Sequence, residues 1–248
     1  MALSTQTPLV RYLESPHPYR PLHIDLPLRM LGTISAPGDC PLLDAPAEQD
    51  KVETALRSPI EEGLIRVHWL TDLSLRALQR ELDRAQRAGQ PYHVWHHIGH
   101  GAWDERAGAG TLLLCGPDGR SQAVGGFELG ALFGDHPSLR LALLNACEGA
   151  RSDRQDALGS VAAALVERRV PAVIGMQFEI SDQAALAFAE GFYEALVDGA
   201  PVDVAVTGGR RAVFSLPNWV EWATPVLYMR AADGVYLLNN LGTLCGNP

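Results

Sequence analysis

The chain has 248 residues, 47% hydrophobic and 20% charged, which is enough apolar material for one large globular domain. Its formal net charge is -9 and its 20 basic residues are scattered, which excludes the clustered cationic footprint that a phosphate backbone needs. No run approaches the ~18 apolar residues of a membrane span, and the first twenty residues hold no apolar signal core. Cys40, Cys115, Cys147 and Cys245 fall in no CxxC spacing. A reduced, cytoplasmic protein is therefore expected, with neither nucleic acid nor membrane as partner.

Residues 1–27 are proline-rich and aperiodic, and read as an extended N-terminal arm before a domain over 28–248. Leu28 to Ser35 reads as a strand, and Ala47 to Arg57 as a helix that Pro59 stops. Leu64 to Leu70 alternates Ile65, Val67 and Trp69 at period two, as a strand does. Leu75, Leu78, Leu82 and Ala85 set a helix over 74–88, with Gly89 suited to its C-terminal cap. Tyr92 to Ile98 is the next strand, and the Gly-rich stretch 102–125 reads as a small hairpin beside it. A helix follows near Phe127 to Phe133. Leu139 to Ala146 and Pro171 to Phe178 are nearly continuous apolar runs, as expected of strands covered on both faces. Helices are expected over 158–168, 183–197 and 202–214, and a last strand over Pro225 to Arg230. Strand and helix alternate throughout, which predicts an α/β fold with a mainly parallel sheet and helices on both sides.

Reactive groups in such sheets sit beyond the carboxyl ends of the strands. Two strands end there in chemistry. Tyr92 to Ile98 runs into Gly99-His100-Gly101, and Leu139 to Ala146 runs into Cys147. A thiol needs a base in reach and donors aimed at the oxyanion before it can attack a carbonyl. Taken singly, Cys147 reads as a small core residue and His100 as a loop residue between glycines. Their pairing at two parallel-strand ends makes them candidate nucleophile and base.

The segment HHIGHG (His96 to Gly101) resembles the His block of CHAT peptidases, and LALLNACEGA (Leu141 to Ala150) resembles their Cys block. VPAVIGMQFEISDQAALAFAEGFYEAL (Val170 to Leu196) and TPVLYMR (Thr224 to Arg230) are similar to two further blocks in the same order. The family is a branch of the caspase-like cysteine peptidases, akin to separase. The resemblance spans about residues 28–235, and the 47-residue His-to-Cys separation is of the order of the ~50 seen in caspases. It implies a caspase-like three-layer α/β/α sandwich, with His100 as base, Cys147 as nucleophile, and the Gly101 and Cys147 N–H groups as oxyanion hole. It further implies a protein substrate, a regulatory protein or sensor as partner, and no cofactor. His97 stands where the family has Phe, and Gly149 where it has Thr.

Asp182 carries two readings. It starts a helix next to Ser181 and so reads as an N-cap. The resemblance implies that it lines the S1 pocket, with Glu179 as a second acidic candidate. A carboxylate there would favour Arg, then Lys, at P1, whereas a capping Asp182 would leave an apolar pocket for an aliphatic P1. His93, His96, His97 and His100 do not converge by strand alternation, so no metal site is expected, and His96 is read as a structural hydrogen-bonder beneath the dyad. Arg210 and Arg211 read as a solvated helix face. The competing function is an interaction module on the same fold with an idle dyad. A nucleotide-binding domain is disfavoured, because no glycine-rich phosphate pattern follows the first strand.

Overall fold

The computed structural model describes residues 3–14, 21–70, 73–148, 156–178, 180–217, 219–230, 235 and 237–239, with backbone alone at 147–148, 219 and 238–239. The sheet core is built from β3 (Leu28–Ile34), β4 (Ile65–Leu70), β5 (Val94–Asp104), β8 (Leu141–Glu148) and β9 (Ala172–Met176). All neighbouring pairs in this set are parallel, in the order β9-β8-β5-β3-β4. The expected parallel α/β architecture is present. The sheet is completed by β10 (Pro225–Met229), antiparallel to β9, and by β1 (Arg11–Tyr12), parallel to β10 at the edge.

Helices cover both faces. On one, α1 (Ala45–Ala55), α2 (Arg57–Glu61), α6 (Asp182–Val197) and α7 (Val202–Phe214) bury Met30, Val94, Ile98, Leu143 and Ile174. On the other, α3 (Leu75–Arg87), α4 (Gly126–Gly134) and α5 (Ala157–Glu167) bury Leu31, Trp95, Leu144 and Val173. Successive residues of each strand alternate between these two cores, which is why the central strands read as unbroken apolar runs. The result is the expected three-layer α/β/α sandwich around a mainly parallel sheet.

The hairpin expected over 102–125 continues β5 itself. β6 (Ala109–Cys115) pairs antiparallel with β5 from His100 to Asp104, and β7 (Ser121–Gly125) pairs with β6. β3 ends opposite Ile98, so β6 takes over that flank of β5. Gly110 makes this possible: a Cβ there would overlap the Ala157 carbonyl where β6 crosses α5.

Three local readings change. The helix expected over 47–57 ends at Ala55 and restarts as α2, with Pro59 inside its first turn, where a missing N–H costs no helical bond. The N-terminal stretch carries β1 and β2 (Leu22–Ile24), and β2 pairs with β11 (Leu237–Asn239). Arg210 is buried, not solvated. Its Nη2 and Nη1 donate to the carbonyls of Pro225, at 2.7 Å, and Leu9, at 3.0 Å. It ties α7 to β10 and the N-terminal segment, and burial lowers its pKa to about 10.

Candidate active site

His100 and Cys147 are register partners on adjacent parallel strands, one step beyond Gly99–Ala146 and two beyond Ile98–Asn145. Neighbouring strands lie ~4.8 Å apart, so the two backbones stand within side-chain reach. Gly101 follows in the same register, opposite Glu148 on one side and Leu112 on the other. Of the candidate oxyanion groups, Cys147 N–H therefore belongs to the dyad's own rung and Gly101 N–H to the next one along.

His100 is buried, and its Nε2 lies 3.1 Å from the carbonyl oxygen of Pro41. A carbonyl can only accept, so Nε2 carries the proton and the neutral ring keeps its lone pair on Nδ1. The main chain between β3 and α1 thereby fixes the tautomer. Nothing in the sequence marks this contact, because the acceptor is a backbone atom 59 residues away. Gly99 is required beneath it: a Cβ would come within 2.9 Å of His97 Nε2 and 3.2 Å of the Ser35 carbonyl.

The histidines in and just before β5 have separate partners. His96 Nδ1 lies 3.1 Å from the Tyr193 hydroxyl on α6, the structural bond expected of it, and burial lowers its pKa to about 4. His97 faces the opposite core, stacked on Trp95, with Nδ1 3.1 Å from the Thr33 hydroxyl. Its Nε2 is buried without a hydrogen-bond partner among the described residues. His93 Nδ1 accepts from the Arg29 backbone N–H at 3.1 Å. No group of three potential metal ligands converges among the described residues.

A cleft of about 110 Å³ opens beside the dyad, lined by Leu43, Ile98, Gly99 and Asn145, with α1 and α6 as its walls. It has room for a side-chain-sized group. Asp182 lines it, but not as a cap: the helix cap is Ser181, whose hydroxyl accepts from the Ala184 N–H at 3.4 Å. Asp182 instead accepts from Lys51 Nζ at 2.8 Å, and Lys51 also bonds Glu48 at 2.7 Å. Partial burial alone would lower the Lys51 pKa, and these two bonds more than offset it, so the ammonium is held above its usual value. A Glu–Lys pair three residues apart on a helix reads from sequence as ordinary surface chemistry, so nothing there announced Lys51 as a cleft residue. Glu179 lies outside the described residues. Of the other thiols, Cys40 is pushed up in pKa by burial and stays protonated.

Among the described residues no helix is long and apolar enough to cross a membrane. The fold is similar to two structures of the Saccharomyces cerevisiae separase–securin complex. Identity is 15% with TM-score 0.46 in one, covering 85% of this chain and 12% of that one, and 14% with 0.45 in the other, covering 88% and 13%. Chaetomium thermophilum Raptor is similar at 12% identity and TM-score 0.42, over 79% of this chain and 20% of that one. This chain thus spans between an eighth and a fifth of those proteins. No curated protein matches it. The profile of the CHAT domain matches residues 35–230, and the chain belongs to that family.

Proposed function

We propose that the chain is a cysteine peptidase acting on a protein substrate, with Cys147 as nucleophile and His100 as general base. The observation that carries this is the register pairing of His100 with Cys147, on a base whose far nitrogen is already committed to the Pro41 carbonyl. In this mechanism His100 Nδ1 takes the thiol proton and the thiolate attacks the scissile carbonyl. The N–H groups of Gly101 and Cys147 receive the negative charge that develops on oxygen. The imidazolium, held in place by the Pro41 carbonyl at its other edge, returns the proton to the leaving amine. Water, deprotonated by the same nitrogen, then releases the acyl group. Asp182 and Glu179 are assigned to the S1 wall. A regulatory protein or sensor, met in the cytoplasm, completes the reading.

The test is covalent labelling of Cys147 by a peptide electrophile, together with turnover by Cys147→Ala and His100→Ala. Each variant should lose at least about a thousandfold in kcat, as nucleophile–base units do, while keeping its melting temperature. Undiminished turnover by Cys147→Ala would end this mechanism.

A further inference from the structure

The cleft beside the dyad is apolar in depth and charged at its rim. Ile98, Leu143, Met176 and Phe188 are all buried within its lining. His96, kept neutral by burial, and Asn145 supply polar atoms on the sheet side. The lining carboxylates, Glu48 and Asp182, both bond Lys51, and the Asp182 side chain is 76% exposed. The more covered of the two, Glu48 at 18% exposed, is paired with Lys51, so the described lining offers no unpaired buried carboxylate.

A substrate guanidinium or ammonium entering this space would be desolvated among neutral groups, which is costly for an unpaired charge. To pair with Asp182 it would have to displace Lys51, which is already held by two carboxylates. The three rim groups sum to one negative charge, but Asp182 stands mostly in solvent, where that residual attraction is screened. An aliphatic side chain meets none of these costs and gains apolar burial.

We propose that Lys51 is the specificity-determining residue of the cleft: by neutralising Asp182 it makes S1 select an aliphatic P1 side chain of Leu or Met size over Arg or Lys. This rests on the peptidase reading and names its substrate class. Lys51 acts through Asp182 and the pocket wall, not on the reacting atoms.

Two readouts test it on the full chain. In the first, Cys147 is labelled by peptidyl acyloxymethyl ketones that differ only at P1, followed by intact mass. The Leu and Met probes should react at least tenfold faster than the Arg probe. In Lys51→Met, which keeps the aliphatic stem and removes the charge, the Leu-to-Arg rate ratio should fall at least tenfold. Adding Asp182→Asn should restore it, an effect that a merely structural Lys51 would not produce. If Lys51→Met fails to fold, Lys51→Gln serves the same comparison. In the second readout, anisotropy follows binding of fluorescent peptides ending in Leu or Arg to Cys147→Ala, with Leu expected at least fivefold tighter. Arg labelling as fast as Leu labelling would overturn the specificity and leave the peptidase standing. Leu-selective binding without labelling of Cys147 by any probe would remove the peptidase and keep the specificity. Absence of P1 preference in both readouts overturns the proposal.

Discussion

His97→Phe should make the protein markedly less sensitive to mild acid. Burial, with smaller contributions from His96 and His100, lowers the His97 pKa to about 3, while the His93 and His96 values are lowered to about 4. An unfolded His titrates near 6.5, so the unfolded chain takes up these protons first. The stability is therefore fully present above ~6.5 and is lost as pH falls toward 4. Between pH 7 and pH 5 each such residue removes about 1.8 kcal/mol, and the three together remove about 5 kcal/mol. That is comparable to the whole stability of a small domain, roughly 5–15 kcal/mol. Phe at 97 keeps the stack on Trp95 and removes the unpartnered Nε2. The Thr33 hydroxyl retains Trp95 Nε1 as donor, at 2.9 Å, and the His96 carbonyl, at 3.4 Å. The larger ring brings a packing cost that is the same at both pH values, so it cancels in the comparison. Urea unfolding at pH 7, 6 and 5 should show the variant losing about 1.8 kcal/mol less than the parent over that range. Identical pH slopes in the two proteins would refute this account of His97.

Gly110→Ala puts a Cβ into the Ala157 backbone carbonyl, where neither chain can yield. It should cost about 3 kcal/mol or more, and a thermal melt within 2 °C of the parent, against a drop of roughly 6–12 °C expected, would contradict the packing. Arg210→Lys forfeits the two-carbonyl fork to Pro225 and Leu9. It should cost about 2 kcal/mol, lowering the melting temperature by roughly 4–8 °C and speeding tryptic cleavage at Arg11. Tyr193→Phe strands the buried His96 Nδ1 and should cost about 1–2 kcal/mol in urea unfolding. Cys40→Ala should leave peptide hydrolysis intact, because the Cys40 thiol is held protonated by burial.

What could be read from residues alone was whatever carries a periodic signature. β3, β4, β8 and β9 are apolar or alternating runs, and α3 shows its 3-4 spacing, so each was visible within a few residues. β1 and β2, at two and three residues, are too short to show any period and owe their conformation to β10 and β11. Arg210 misled because charge type suggests solvent, although its helical neighbours Val206 and Val213 are both core residues. His100 and Cys147 stood out because the expected strands ran into them, although β5 continues through His100 to Asp104. Asp182 drew notice by its position after β9, whereas Lys51 and the Pro41 carbonyl did not. Both act through non-local contacts that chain order does not encode.

The bond from His100 to Pro41 has an unusual genetic property. A base oriented by a carboxylate can be disarmed by one codon change, because the orienting group is a side chain. Here the orienting atom belongs to the peptide bond, which every residue supplies. Point substitution at 41 cannot delete it, but a one-residue insertion or deletion between Ser35 and Asp44 would move it by a full peptide unit, about 3.8 Å. The sensitivity of the site is thus transferred from residue identity to segment length. In a deep mutational scan of this stretch, position 41 should tolerate many amino acids while length changes from 36 to 43 should not. Selection on such a site would act on spacing before it acted on chemistry.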